Sequence, residues 1–255
     1  RVRSALGREY VMLIGGRDRL AREKFEDRSP ADSAIVLGLF QKGTEGDVRD
    51  AVAAARKAFP SWRAVPWTER VAYLRRAAGL IEERTCDIAA ALTLDMGKNR
   101  METLGDVIEA AVLIRHSCER MEQSEGFVAR MGTDPIPGVM TTNTSILRPH
   151  GVWAVVVPFN YPPALTCGPA GAALAAGNTV VVKPSSEAPW AVRLIVECFR
   201  DAGLPEGVLN LVTGPGATAG RVLVESPGVD GITFTGSHEV GMDIYRRFAS
   251  GPYVR

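Results

Sequence analysis

An asparagine just beyond an apolar run is the first residue whose type and position could do chemistry. The run from Gly151 to Val157 is β-branched and stops at Pro158, which predicts a buried strand with Asn160 after its end. A side-chain amide there could donate a hydrogen bond to a developing oxyanion. Asparagine is equally suited to cap the helix that Pro162 predicts. The local pattern leaves both roles open.

Lys183 is a charged residue at the end of a second apolar run. It follows three valines, so its ammonium group either meets solvent as an ordinary strand-end lysine does, or binds a ligand. Farther along, Gly214, Gly216 and Gly220 resemble a dinucleotide-binding turn, although the third glycine is one residue late for the usual spacing. Because Gly-Pro-Gly is also common in plain turns, this signal is weak by itself.

The segment Phe234-Thr235-Gly236-Ser237 ends another apolar run and opens a predicted helix. The free N–H groups at a helix N-terminus, together with the Ser237 hydroxyl, suit an anion such as pyrophosphate. An N-cap serine without any ligand explains the same residues equally well.

Strands and helices must alternate to place these residues. The predicted strands cover 151–158, 179–184, 208–212 and 231–235, and the predicted helices cover 162–176, 189–202, 216–225 and 236–248. Short connections between alternating strands and helices require a parallel sheet with helices on both faces. Ligands of such Rossmann-like α/β sheets bind beyond the carboxyl ends of the strands. The ends at Asn160, Lys183, Gly214 and Gly236 are therefore predicted to converge on one crevice.

The motifs around these residues resemble, in order and spacing, the cofactor-domain motifs of the aldehyde dehydrogenase superfamily. The stretches that carry the resemblance are Pro158-Phe159-Asn160-Tyr161-Pro162, 175–184, 203–210 and Phe234-Thr235-Gly236-Ser237. The resemblance implies that Asn160 steadies the oxyanion, that Lys183 binds the adenosine ribose and that Ser237 approaches the pyrophosphate. The remaining cofactor-binding residues that it implies are Val156, Val157, Pro158, Phe159, Ser185, Ser186, Gly216, Gly220, Phe234, Thr235, Gly236 and Val240.

Ser186 occupies a position where many members of this family carry a glutamate that holds the ribose hydroxyls. A carboxylate there would repel the 2′-phosphate of NADP, whereas a serine would not. The resemblance therefore implies NAD as the expected cofactor and leaves NADP open.

The family's reaction needs a cysteine nucleophile and a glutamate base, and neither motif occurs before the chain ends at Arg255. Cys167 is predicted to lie inside a helix, with no charged neighbour to lower its thiol pKa. The resemblance thus implies the cofactor-binding part of an enzyme that oxidises an aldehyde to a carboxylate, inactive as this chain alone. The alternative is a non-catalytic dinucleotide-binding module or assembly subunit.

A finer resemblance points to one branch of the family. Stretches near Gly126, Gly168, Cys198 and Glu239 resemble the pyrroline-5-carboxylate, or glutamate semialdehyde, dehydrogenases of proline catabolism. None of these stretches is expected to contact substrate, so the identity of the aldehyde stays open.

Composition indicates an ordinary soluble globular protein, with 255 residues, 46% of them hydrophobic, and a net charge of +1. This charge gives no reason to expect nucleic acid or an anionic membrane as partner, and no apolar run approaches the roughly 18 residues of a membrane span. Four scattered cysteines favour a reducing, cytoplasmic compartment. The histidines lack metal-ligand spacing, so no metal is expected. The chain opens at Arg1 rather than a methionine, so its natural N-terminus is expected to be missing.

Three parts are expected: a helical part at 1–125 that packs on the cofactor domain, a β arm at 126–149, and the dinucleotide-binding core at 150–255. Upstream helices are predicted at 47–59, where Pro60 ends the helix, after a cap at Thr68, at 85–96 and at 101–123, with a capping box at Thr44 and Asp47. Residues 10–14, with Gly15 and Gly16 as a turn, predict a short hairpin, and 35–40 predict a short strand. The arm contains strands at 127–131 and 141–148, which are marginal alone. The resemblance implies that this arm joins an oligomerisation sheet, so the full-length protein is expected to be a homo-oligomer.

Overall fold

The computed structural model describes residues 2–250, so that Arg1 and the segment 251–255, where the predicted core ends, lie outside the described residues. Its strands are β1 (Arg8–Tyr10), β2 (Met12–Ile14), β3 (Arg17–Arg19), β4 (Lys24–Arg28), β5 (Val36–Gln41), β6 (Val128–Arg130), β7 (Thr144–Ile146), β8 (Val152–Val156), β9 (Thr179–Lys183), β10 (Leu209–Leu211) and β11 (Gly231–Phe234). Its α-helices are α1 (Glu45–Ala64), α2 (Trp67–Glu83), α3 (Thr85–Met96), α4 (Arg100–Gln123), α5 (Pro162–Ala175), α6 (Trp190–Asp201), α7 (Arg221–Glu225) and α8 (His238–Phe248).

A six-stranded sheet in the order β11-β8-β9-β10-β2-β3 forms the centre of the fold. The four strands predicted from the second half of the chain are neighbours and run parallel, as expected. The sheet is nevertheless mixed, because β2 and β3 add two antiparallel strands at one edge. Gly15 and Gly16 make the turn of this hairpin, with φ of 61° and 78°, a left-handed region that glycine enters without steric cost.

Side chains of the central strands alternate between the two faces of the sheet. Val155, Val180 and Val182 pack under α5 and α6, with α2 and α4 outside them. Ala154 and Val181 face the opposite way, towards α1 and α7. Both faces are therefore covered by helices, which is why the strand sequences are apolar throughout rather than alternating.

Helix α1 is longer than its sequence indicates. Pro60 was expected to end it, yet the helix continues to Ala64. The next turn carries Trp62, which is buried and donates from its indole Nε1 to the carbonyl oxygen of Leu174 at 3.3 Å. Burying a side chain of this size stabilises the last turn enough to outweigh the hydrogen bond that proline removes.

The remaining small elements complete the upstream part. The short strands β1, β5 and β4 form a separate three-stranded sheet, and β6 pairs with β7 in the predicted two-stranded arm. Helices α3 and α4 lie where they were predicted, within a residue, and Gly97 ends α3 in a left-handed conformation. The helix predicted at 216–225 begins with a π-helical turn, Gly216–Gly220, before α7. The proposed division into three parts stays a prediction.

The two predicted threonine caps differ in outcome. The hydroxyl of Thr44 accepts from the backbone N–H of Asp47 at 3.2 Å, and the Asp47 carboxylate accepts from the N–H of Thr44 at 2.9 Å, so the capping box is confirmed. Thr68 was expected to cap α2, but that helix starts at Trp67 after Pro66 and has no side-chain cap. The Thr68 prediction is wrong because Pro66 already fixes the backbone at this start.

This difference predicts unequal effects of two identical substitutions. Thr44→Ala is expected to lower the free energy of unfolding by about 1 kcal/mol, because it removes the acceptor for an otherwise unpaired N–H. Thr68→Ala, on an exposed helix surface, is expected to change it by less than about 0.5 kcal/mol. Urea unfolding of both variants measures this difference, and equal losses would contradict the assignment of the caps.

Candidate dinucleotide-binding site

The carboxyl ends of the four parallel strands meet at one edge of the sheet. Val156 lies in register with Phe234 on one side and with Lys183 on the other, and Val182 lies in register with Leu211. A cleft of about 520 Å³ lies at this edge. Of the residues predicted to bind a cofactor, those that line this cleft are Val156, Lys183, Gly216, Gly220 and Val240.

Lys183 is nearly fully buried at the base of the cleft. Its side chain is 4% exposed, and its Nζ donates to the carbonyl oxygen of Pro184 at 2.8 Å. No carboxylate among residues 2–250 forms an ion pair with it, so burial lowers the pKa of its ammonium group to about 8. An ammonium group has three donors, and the described residues supply an acceptor for one of them.

The glycine-rich turn leaves room above Lys183. A Cβ added to Gly216 would meet nothing within 4 Å, so open space lies over this part of the turn. A Cβ added to Gly220 would lie 3.4 Å from Cε of Lys183, so the turn runs within van der Waals reach of the lysine side chain. The two glycines thus keep the backbone close to Lys183 and the cleft open.

Helix α8 begins beside this edge. The Ser237 hydroxyl accepts from the backbone N–H of Val240 at 3.3 Å, so its N-cap role is confirmed. A Cβ on Gly236 would lie 2.4 Å from Cζ of Phe234, and glycine therefore lets the Phe234 ring fold back over the start of the helix. Contact with a pyrophosphate stays a prediction.

Asn160 lies in the connection between β8 and α5, and its side chain is exposed. Tyr161 is the N-cap residue of α5, and this helix start has no side-chain cap hydrogen bond, so the capping alternative is wrong. In the part of the chain that the structure describes, the Asn160 amide has no hydrogen-bond partner.

The residue after Asn160 is held firmly to a neighbouring helix. The Tyr161 hydroxyl donates to the Glu109 carboxylate on α4. Nζ of Lys98 lies 4.7 Å from the centre of the tyrosine ring and forms an ion pair with Asp106 at 2.7 Å. Burial, followed by the bond to Glu109, raises the pKa of the Tyr161 hydroxyl. These contacts hold the backbone next to Asn160 while its amide stays free, and no local sequence pattern predicts them.

The other predicted residues lie outside the lining of the cleft. Ser186 donates to the carbonyl oxygen of Gly214 at 2.9 Å and, with Phe159, lines a separate cleft of about 450 Å³. The Ser185 hydroxyl accepts from the N–H of Glu187 at 3.2 Å, and Val157 is buried in the core. The rest lie half-buried or exposed outside it: Pro158, Phe234, Thr235, Gly236 and Ser237.

Several residues that line the cleft were not predicted from the sequence. The unpredicted lining residues are Ala217, Arg221, Val224, Asp243, Ile244 and Arg247. Those on α8 follow Val240 at helical spacing, which would have placed them on one face once Val240 was chosen. Arg221 directly follows Gly220, so a search for cations next to the glycine-rich turn would have found it.

A larger cleft, of about 690 Å³, lies between α1 and the β2–β3 hairpin. It is next to Gly207 and Val208, which precede β10, and thus lies at the end of the sheet opposite to the strand tips. Its unpaired cations, Arg17 and Lys57, are exposed rather than buried. Since the carboxyl ends of the four parallel strands lie at the opposite end, the candidate site is the smaller cleft.

Cys167 is fully buried inside α5, as its sequence position indicated. Burial raises the pKa of its thiol well above the usual value, so the thiol is protonated near neutral pH. Cys118 and Cys198 are also buried, and burial raises their pKa values to about 11. None of these three thiols has the character of a nucleophile.

Within residues 2–250, no cluster of three or more histidine, cysteine, aspartate or glutamate side chains could hold a metal ion. No helix in this range combines the length and the apolar character needed to cross a membrane.

The family model for the aldehyde dehydrogenase family matches residues 18–254 of the sequence. The chain belongs to the aldehyde dehydrogenase family. Within the family, the chain is 39% identical over 213 residues to alpha-ketoglutaric semialdehyde dehydrogenase of Bacillus subtilis, a match that covers 84% of the chain and 43% of that protein.

Two solved structures of family members share the fold. The 1-pyrroline-5-carboxylate dehydrogenase from Thermus with bound NAD superimposes with a TM-score of 0.91 at 34% identity, over 97% of this chain and 47% of that one. An NADP-dependent glyceraldehyde-3-phosphate dehydrogenase from Bacillus halodurans, complexed with NADP, gives a TM-score of 0.87 at 32% identity, over 94% of this chain and 50% of that one. The chain thus spans about half the length of the relatives it matches.

Proposed function

We propose that this chain is the dinucleotide-binding half of an NAD(P)-dependent aldehyde dehydrogenase that oxidises an aldehyde to a carboxylate. One observation carries this proposal: buried Lys183, the turn Gly216–Gly220 and one face of α8 from Val240 onward surround one cleft at the carboxyl edge of four parallel strands. In Rossmann-like α/β sheets, that edge is where a dinucleotide binds.

The donors at the cleft suit such a ligand. Lys183 has ammonium donors without an acceptor, next to a turn that leaves open space, which fits ribose hydroxyls. The N-terminus of α8 has backbone N–H groups and a positive dipole end, which fit a pyrophosphate. When bound, the dinucleotide would supply the acceptor for the substrate hydride.

The chain's own residues would bind the cofactor and stabilise charge. We assign the ribose to Lys183, the pyrophosphate to the Ser237 end of α8, and the oxyanion of the reacting carbonyl to the free amide of Asn160. The nucleophile and the base would lie beyond Arg255, since the buried thiol of Cys167 is unsuited to attack.

The finer parts of the proposal come from the relatives. Their names specify alpha-ketoglutaric semialdehyde and 1-pyrroline-5-carboxylate, so glutamate semialdehyde is the first substrate to test. We further propose a homo-oligomer in the cytoplasm, with the arm β6–β7 as part of its assembly sheet.

Replacing Lys183 tests the site on the chain itself. Lys183→Met is expected to weaken dinucleotide binding about 10- to 100-fold, because a hydrogen bond to a charged group contributes about 1.5–3 kcal/mol. Isothermal titration calorimetry measures the affinity. The matched control is Lys57→Met, which removes the same charge from the opposite end of the sheet and is expected to have no effect.

The pH dependence of the same titration has a defined sign. Free Lys183 loses its proton near its lowered pKa of about 8, and an anionic ligand favours the protonated form. Affinity is therefore expected to fall as the pH rises above about 8, and this fall is expected to disappear in Lys183→Met. A chain that binds neither NAD nor NADP would refute the proposed function.

The alternative, a non-catalytic module, is separated by reading the gene past the codon for Arg255. An in-frame Leu-Gly-Gly glutamate followed by a cysteine supports the enzyme, and an immediate stop codon supports the module.

A further inference from the structure

The charges that line the dinucleotide cleft are unevenly compensated. Asp243 accepts from Nε of Arg247 at 2.7 Å, and Nη1 of Arg247 also pairs with Glu225 at 2.6 Å. The guanidinium of Arg247 is therefore satisfied by two carboxylates. Arg221 lines the same cleft, is exposed, and forms no ion pair or side-chain hydrogen bond with any other residue between 2 and 250. Arg221 is thus a second cation of the cleft, beside Lys183, that is available for an anionic ligand.

Arg221 directly follows Gly220, and both residues line the cleft together with Lys183, the side chain assigned to the adenosine ribose. A Cβ added to Gly220 would lie 3.4 Å from Cε of Lys183, so the turn that carries Arg221 runs close to that side chain. The ribose of NADP differs from that of NAD by a phosphate on its 2′-oxygen, so a free cation at this point faces the group that distinguishes the two.

Carboxylates that would oppose such a phosphate are absent from the lining in residues 2–250, apart from the Arg247-bound Asp243. The Ser186 hydroxyl is neutral and is already engaged with the carbonyl oxygen of Gly214. Glu187, which directly follows Ser186, lines the separate cleft with Phe159. A 2′-phosphate would therefore meet the positive charge of Arg221, while the two carboxylates of this region, Asp243 and Glu225, are already paired with Arg247.

We propose that Arg221 selects a 2′-phosphorylated dinucleotide, so that this chain prefers NADP to NAD. A guanidinium presents paired donors that match a phosphate, and an arginine near the ribose is the usual means of accommodating this group. The inference rests on the proposed dinucleotide-binding function and reverses the preference for NAD implied by the sequence. The reason is Arg221, whose position at the cleft depends on the folded turn.

Calorimetric titration of the chain with NADP and with NAD tests the inference. NADP is expected to bind at least about tenfold more tightly, and Arg221→Gln is expected to remove this difference by weakening NADP while leaving NAD within about twofold. Arg221→Lys, which keeps the charge but loses the paired donors, is expected to fall between the two. The matched control is Arg246→Gln, an exposed arginine of α8 outside the lining, which is expected to keep the preference.

A second measurement needs no variant. Adenosine 2′,5′-bisphosphate is expected to displace NADP from the unchanged chain at least about tenfold more effectively than adenosine 5′-monophosphate. Equal affinities for NAD and NADP, or a preference that survives Arg221→Gln, would overturn the role of Arg221 while leaving the dinucleotide site intact. Failure to bind either dinucleotide would overturn the proposed function and this inference together.

Discussion

Replacing Asn160 by alanine in the complete dehydrogenase is expected to lower kcat about 100- to 1,000-fold, with little change in the KM for the dinucleotide. The amide is exposed at the end of β8 and has no partner in the described part of the chain, so its donors are available for a ligand. A donor used only when charge develops on the carbonyl oxygen lowers the barrier without tightening ground-state binding.

The stability of the same variant is expected to stay unchanged. Asn160 caps no helix, so removing its amide leaves no backbone N–H without a partner. Asn99 offers a matched control, since its Oδ1 accepts from the N–H groups of Met101 and Glu102 at 3.0 Å each at the start of α4. Asn99→Ala is expected to lower the free energy of unfolding by about 1 kcal/mol and to leave kcat within about twofold.

Steady-state kinetics and urea unfolding of the two variants separate the roles. An Asn160→Ala enzyme that keeps its kcat would exclude the oxyanion role. Asn160→Asp adds a finer readout, because a carboxylate has no donor and is expected to be at least as damaging as alanine.

The strand ends could be predicted because each strand is buried on both faces. Such strands are continuous apolar runs, and their ends are marked by the first polar or glycine residue, such as Asn160 or Lys183. The hairpin at Gly15 and Gly16 was also readable, but its attachment to β10 was not. That attachment depends on the pairing of Leu13 with Leu211, which no local pattern encodes.

The parts of the site that could not be predicted from the sequence have one physical reason in common. The bond between Tyr161 and Glu109 joins α5 to α4, and the place of Arg221 depends on how a π-helical turn packs against Lys183. Both depend on contacts between elements rather than on spacing along the chain. Pro60 is the converse case, because a correct local rule is overridden by the burial of Trp62.

Two buried carboxyl groups, Asp27 and Asp95, are expected to make the stability of the fold strongly dependent on pH. Asp27 on β4 and Asp95 on α3 are each 2% exposed, and within residues 2–250 one oxygen of each, Oδ2 of Asp27 and Oδ1 of Asp95, has no hydrogen-bond donor. Burial raises the pKa of Asp27 to about 7. Burial, and then the charge of Asp27, raises that of Asp95 well above its usual value. A proton shared between the two groups would give both oxygens a partner.

The sign of the resulting pH dependence follows from the raised pKa values. Between the ordinary value of 3.8 and about 7, the folded chain keeps a proton on Asp27 that the unfolded chain releases. The contribution of this proton to the free energy of unfolding is therefore expected to be fully present below pH 3.8. As the pH rises through this window, the free energy of unfolding is expected to fall by about 1.4 kcal/mol per pH unit. The total loss is on the order of 4 kcal/mol, and Asp95 extends it to higher pH.

Asp95→Asn is expected to remove the part of the loss that Asp95 adds, whereas Asp27, whose pKa is raised by burial, keeps its own part. The amide keeps an oxygen for the N–H of Ala191, which Asp95 now accepts at 3.4 Å, and its nitrogen can donate to Asp27 at any pH. In urea titrations without divalent cations, the free energy of unfolding of the variant is expected to exceed that of the parent by about 2–4 kcal/mol near pH 8. Near pH 4 the two values are expected to be nearly equal. Glu187 is an exposed carboxylate in the cleft of about 450 Å³ that Asp27 and Asp95 also line, and Glu187→Gln is expected to follow the parent at every pH. If Asp95→Asn also follows the parent, the two carboxyls do not share a proton, because their pH-dependent repulsion would then contribute nothing to stability.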